Sequence, residues 1–314
     1  MCAVQQPKSK PTHLEQVTWA EVTWVNIERP TEADMACLAE SYPFHPLDLA
    51  DCLSKIQRPK LDVYKEYEFL IFHYSVWDKI KRIGTAEQVS VFISDKYVIT
   101  IHSGRFTPLA NLFRQCQSDE RVRQDHFKNG TGYLLYSIID CAVDSYFPIL
   151  DKLLTWADTI EESVFDENVE AAKEVFILRR DVITQRRIMM PNRLTFGELE
   201  TKLARFSKVE LAPYFGDVMD HMNKICETLD EAKDIIESFK DTDYILSTNR
   251  IKRFLRILTI LGSIIAPFFI ISCIYLLIAI PRNAASFPTF IIAIVLMVII
   301  AGLTLVMLRS KRLI

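Results

Sequence analysis

"ILTILGSIIAPFFIISCIYLLIAIP", Ile257 to Pro281, contains no Asp, Glu, Lys, Arg or His. Roughly 20 mostly apolar residues carry a helix across the hydrocarbon of a bilayer, so this run is long enough to span. A second uncharged run, Asn283 to Leu308, follows after a single charge, Arg282. Arg250, Lys252, Arg253 and Arg256 precede the pair, and Arg309, Lys311 and Arg312 follow it. The bias of basic residues toward the cytoplasm predicts a hairpin with both ends inside and a short loop outside. Met1 to His13 has no apolar segment, and no signal peptide is expected. The residues before the first span are therefore expected in the cytoplasm of a cell whose plasma membrane holds the hairpin.

Upstream of the first span, Met222, Ile225, Leu229, Ala232, Ile236 and Phe239 recur at alternating steps of three and four, the spacing of a heptad seam. No proline interrupts the chain between Pro213 and Pro267. A helix beginning near Pro213 and reaching Pro281 would be about 100 Å long at 1.5 Å per residue. Such a helix needs neighbours along its seam, either its own domain or other copies of the chain. "YFPILDKLLTWADTIEESVF" and "EVFILRRDVITQRRIMMP" also have helical spacing, the second ended by Pro191. The basic run Arg179 to Arg187 within it is expected to be a solvated face pairing with the nearby acidic "DTIEES".

Toward the N-terminus the signals alternate. "TEADMACLAESY" carries a threonine cap before helical spacing. "EYEFLIFHYSVW" is β-rich, and "VSVFISDKYVITIHS" is two such runs around Ser94-Asp95-Lys96, a hairpin signal. The expected organisation is a cytoplasmic mixed α/β domain (1–132), a helical region with the start of the stalk (133–253), and a two-helix membrane domain with a basic tail (254–314). The fold class is α+β followed by a helical stalk and two C-terminal transmembrane helices.

Composition excludes several classes. The seven cysteines and six histidines are scattered, with no Cys-x-x-Cys pair, which fits a reducing compartment rather than a disulfide or zinc framework. Only eight glycines occur and none form a phosphate loop. No nucleophile–base spacing stands out, so neither an enzyme nor an ATP-driven pump is expected. A net charge of -3 gives no reason to expect nucleic acid.

Several stretches together resemble the CorA family of divalent-cation, chiefly magnesium, transporters. They are "HPLDLADCLSKIQRPK" (His45 to Lys60), "EQVSVFISDKYVITIHS", "YLLYSIIDCAVDSYFPIL" (Tyr133 to Leu150), "LAPYFGDVMDHMNKICETLD" (Leu211 to Asp230) and "LRILTILGSIIAPFFIISCIY" (Leu255 to Tyr275). The resemblance covers nearly the whole chain. It implies a homopentamer in the lipid bilayer whose five first spans line a pathway for Mg2+ or another divalent cation, with no organic cofactor. The inward face would then carry Lys252, Leu255, Leu258, Gly262, Ala266, Phe269 and Cys273, with Tyr275 and Ile278 near its outer end. In the family Tyr275 would be followed by Gly-Met-Asn, whose asparagine ring holds hydrated cation. This chain has Leu276, Leu277 and Ile278 there, and Arg282 as the one charge of the mouth. A divergent cation transporter and a non-conducting pentameric scaffold or regulator are thus both implied. Asp217 matches a stalk position that the family uses in an inhibitory metal site between subunits, and Asp78 falls near the carboxylate that would face it. Gly262 and Ala266 also read as a small-x-x-x-small packing pair.

Overall fold

The structure, a computed structural model, describes residues 14–54, 57–80, 82–164, 169–282, and 291–302 other than 293, 296, 297 and 301. In chain order, strands β1 (Leu14–Trp19) and β2 (Val22–Glu28) lead to helices α1 (Glu32–Ser41) and α2 (Pro46–Leu53). Strands β3 (Lys60–Val63), β4 (Glu68–Asp78), β5 (Ile83–Ile93) and β6 (Tyr97–His102) follow. The remaining elements are helical: α3 (Thr107–Ser118), α4 (Glu120–Phe127), α5 (Thr131–Asp144), α6 (Phe147–Val164), α7 (Val169–Phe196), α8 (Leu199–Leu203), a 3-10 turn (Ala204–Phe206) and α9 (Ala212–Arg282). The chain divides into two units, parting after Phe239.

In the first unit the strands form one mixed sheet in the order β1-β2-β6-β5-β4-β3. Only the β2–β6 pair is parallel. The expected hairpin is β5–β6, closed by Ser94 N donating to Tyr97 O at 3.0 Å. Because side chains alternate along a strand, the sheet has two apolar faces. Phe69, Ile71, Phe92, Ile99 and Ile101 face one way, under α1 and α2. Leu70, Phe72, Val89, Val91 and Val98 face the other, where the later helices cover them. The threonine cap is present: Thr31 and Asp34 exchange both bonds of a capping box at the start of α1.

The seam of α9 is used inside this unit. Met222, Ile225, Leu229, Ala232 and Ile236 are buried in the same core as the sheet's helical face. The side chain of Phe239 lies outside the described residues.

Pro191 does not end its helix. It sits inside α7, which runs on to Phe196. A proline costs the helix a hydrogen bond and a steric clash, and tertiary bonds from the very next residue offset it. Asn192 Nδ2 donates to His73 O at 2.6 Å while its Oδ1 accepts from His73 N at 2.9 Å. β3 covers the edge of β4 only as far as the Lys60–Ile71 pair, so this buried amide supplies the strand edge with the partner that β3 no longer provides. Ile188, Met189 and Phe196 of the same helix are core residues.

In the basic run of α7, Arg179, Arg180 and Arg187 are exposed as expected, whereas Arg186 pairs with Asp230 of α9. Beyond the run, Arg193 Nε donates to Asn223 Oδ1 at 2.6 Å, so Arg186 and Arg193 tie α7 to α9. The side chains of residues 161–163 in "DTIEES" lie outside the described residues.

In the second unit, α9 continues through the first uncharged run as helix to Arg282. Leu255, Leu258, Phe269 and Leu276 are each more than half exposed in the single chain. So are Ile257, Leu261 and Ile270 on other sides of the helix. An apolar surface on several sides of one helix calls for lipid or further protein around it. Residues 283–290, where the hairpin loop is expected, and residues 303–314 lie outside the described residues. Among the described residues, Thr131–Ile160 is also long and apolar enough to cross a membrane. Its Leu134, Leu135, Ile138, Ile139, Leu150 and Leu153 are instead buried in the first unit's core.

Candidate metal centre

Two helices are locked face to face by an aromatic cluster. Gly130, at φ 93°, turns the chain into α5 at a place where a Cβ would come within 2.7 Å of Phe206 O. Thr131 Oγ1 then donates to Ser94 O at 2.6 Å, fixing the helix start to the sheet. One turn on, Tyr133 and Tyr136 pack on Tyr214 of α9 with ring centroids 5.2 and 5.0 Å apart. Tyr136 also meets Phe215 at 6.0 Å. Phe215, Val218 and Met222 continue the buried face of α9.

This docking brings two i, i+4 pairs together: Asp140 and Asp144 on α5, Asp217 and His221 on α9. His221 Nδ1 lies 3.0 Å from Asp144 Oδ1, and His221 Nε2 lies 3.9 Å from Asp217 Oδ1. Asp140, Asp144 and His221 each offer a ligand atom, all within 4.8 Å of one another. The His221 ring stands edge-on to Phe147 at 5.3 Å, which fixes its plane. Asp140 is the least exposed carboxylate of the three aspartates; burial, then the charges of Asp144 and Asp217, push its pKa up to about 6. A cleft of about 560 Å³, lined by Tyr133, Tyr136 and His126 among others, opens beside Asp140 and Asp144.

Two carboxylates and one imidazole form a mixed oxygen and nitrogen donor set, with Asp217 3.9 Å from the other ring nitrogen. Carboxylates suit magnesium, which keeps much of its water shell, while an imidazole favours cobalt, nickel or zinc. Neither Asp140, Asp144 nor His221 is among the site residues expected from sequence. The signal was available as Asp-x-x-x-Asp and Asp-x-x-x-His, but only the fold shows that the two helix faces meet.

Of the expected site residues, Asp217 lies beside this group, on the same helix face as His221. Asp78 ends β4, where it accepts from Ile80 N at 2.9 Å. Leu255, Leu258, Gly262, Phe269, Cys273 and Leu276 lie on the second-unit part of α9, with open space around Gly262. Lys252, Ala266, Tyr275, Leu277, Ile278 and Arg282 are helical backbone there, and their side chains lie outside the described residues.

Comparison with known proteins gives a consistent result. The family model described as CorA-like Mg2+ transporter protein matches residues 19–312. YfjQ of Bacillus subtilis is 30% identical over 266 residues, covering 83% of this chain and 81% of that protein. The cobalt/magnesium transport protein CorA of Thermotoga maritima is 30% identical over 258 residues, covering 81% of this chain and 72% of that one. Among solved structures, the CorA magnesium transporter of Methanocaldococcus jannaschii superposes with a TM-score of 0.78 at 18% identity, covering 94% of this chain and 93% of that chain. That likeness concerns the fold.

Proposed function

The chain belongs to the CorA-like Mg2+ transporter family, and on that premise we propose that it moves divalent metal cations, magnesium first, across the plasma membrane as a homo-oligomer. Membership assigns it to transport rather than to catalysis. The observation that carries the reading is the continuous family match over residues 19–312, which takes in both the sheet domain and the uncharged runs. The driving force is the existing gradient. A potential of 100 mV supplies about 2.3 kcal/mol per elementary charge, hence about 4.6 kcal/mol to a divalent ion.

In this reading five copies of α9 surround the pathway, both termini are cytoplasmic, and the face from Leu255 to Cys273 lines a narrow apolar bore. The exposed apolar sides of α9 support an assembled, lipid-bounded state. The group Asp140, Asp144, Asp217 and His221 acts as a cytoplasmic sensor. Bound metal neutralises the carboxylates and clamps α5 to α9, and its loss leaves like charges that repel, so the metal biases one conformation over another. Asp78 of a neighbouring copy completes a site with Asp217.

A second reading rests on Leu276-Leu277-Ile278, which offer no hydrogen-bonding side chain to a hydrated ion. In it the chain is a membrane oligomer that regulates or scaffolds a partner without conducting. Expression in cells lacking their own magnesium uptake tests the first reading. Growth restored at limiting magnesium supports it; no restoration from a membrane-inserted protein counts against it. Restoring Gly-Met-Asn at 276–278 separates the two, because only a non-conducting parent would gain transport from that change.

A further inference from the structure

A cleft of about 470 Å³ lies between the far end of the β4–β5 hairpin and helices α6 and α7. It is distinct from the metal group, sharing none of its residues. Its walls carry two indoles, Trp77 and Trp156, with Leu153 between the helices. Its rim carries two cations, Arg82 and Lys152.

The inner end holds polar atoms without partners. Asp181 is completely buried. Its Oδ1 accepts from Gly84 N at 2.7 Å and from Gln185 Nε2 at 3.0 Å, while its Oδ2 has no hydrogen-bond partner among the described residues. Gln185 is itself fixed, accepting from Tyr146 Oη at 2.8 Å. The buried hydroxyl of Ser75 is likewise unpartnered among the described residues. A buried polar atom left unpaired costs about 1–3 kcal/mol, so two of them lining one cleft mark a place that a ligand's N–H would satisfy.

The rim is preset. Arg82 donates from Nη1 and Nη2 to both oxygens of Glu174 at 2.8 and 2.9 Å. Its guanidinium carbon sits 5.2 Å from the centroid of Trp156. Arg82, and after it the Trp156 indole, hold the Glu174 carboxyl below its usual range. Glu174 thus orients one wall and one cation together. Lys152 makes no ion pair among the described residues and is free for an incoming anion.

Three features converge: an acceptor for an N–H at the inner end, indole surface on the walls, and cationic groups at the rim. A simple amine fails the third, since the ammonium of Lys152 stands at the entrance with no ion pair among the described residues. We propose that this cleft binds a nucleotide with an aminated base, its amino group donating to Asp181, its ring stacked on Trp156 and its phosphate held by Lys152 and Arg82. Cavities of this size hold ligands of that class. The bound nucleotide would tie the β4–β5 hairpin to α6 and α7.

The test is calorimetric titration of the full-length protein in detergent and EDTA with ATP, ADP, AMP and, as a ring-less control, phosphoethanolamine. Saturable binding of a nucleotide without divalent metal is expected, separate from any result at the metal group. Lys152→Glu, an exposed change that leaves the fold intact, should weaken it about tenfold or more, the loss of one charge-assisted bond. Asp181→Asn should weaken it similarly while keeping the acceptor for Gly84. No binding of any nucleotide, affinity unchanged in both variants, or equal binding of phosphoethanolamine would each overturn the proposal.

Discussion

His221 Nδ1 stands 3.0 Å from Asp144 Oδ1, joining α9 to α5 across 77 residues of sequence. Each helix contributes its second member of an i, i+4 pair to this contact. A metal that replaces it would draw on Asp140 as well, since the three ligand atoms lie within 4.8 Å of one another. His221→Ala should therefore weaken cobalt or nickel binding about tenfold or more, while magnesium, which prefers oxygen, changes less. Equilibrium dialysis of both metals against wild type and variant measures the ratio. Equal losses for the two metals would remove the imidazole from the ligand set.

Asp140 gives the group a pH dependence. Its pKa is raised to about 6 because burial and two neighbouring carboxylates disfavour its charge. An acid whose folded pKa lies above its unfolded value contributes no penalty below the unfolded pKa and a full penalty above the folded one. Asp140→Asn should thus raise the melting temperature at pH 7.5, and the gain should vanish below about pH 4. Metal affinity should fall in wild type as pH drops through 6, since proton and metal compete for the same oxygens.

His102 works in the opposite sense. It is buried, its Nδ1 accepts from Gly104 N at 3.1 Å, and its Nε2 therefore donates to Asn26 Oδ1 at 3.0 Å. Burial lowers its pKa to about 4. The unfolded chain binds the proton more readily, so stability present above about pH 6.5 is lost as pH falls toward 4. Thermal melts across that window should show a slope that His102→Gln reduces. The slope should not vanish, because burial also lowers His73 and His126.

Asn192→Ala should be among the more damaging single changes in α7. It leaves the buried N–H and C=O of His73 unpaired, at about 1–3 kcal/mol each, hence about 2–6 kcal/mol together. Denaturant titration reads the loss directly. A change below about 1 kcal/mol would mean that water or a neighbour replaces the amide.

Patterns confined to one element were legible in the sequence. The threonine cap of α1, the β5–β6 hairpin and the start of α9 beside Pro213 each depend on residues within a few positions. Two kinds of feature were not. The continuation of α7 past Pro191 depends on Asn192 reaching a strand 119 residues away, which local propensity does not contain. The metal group depends on which faces of α5 and α9 meet, set by Tyr133, Tyr136 and Tyr214. Asp181 was hidden for a similar reason: it sits in a basic run that reads as a solvated face, yet the fold turns it and Gln185 inward, four residues apart, to meet Gly84.

Ion flux tests the central claim most directly. Purified protein in liposomes loaded with a magnesium indicator, under an imposed inside-negative potential, should give saturable magnesium entry that grows with the potential. No entry of magnesium, cobalt, nickel or zinc above that of empty liposomes would contradict transport by this chain.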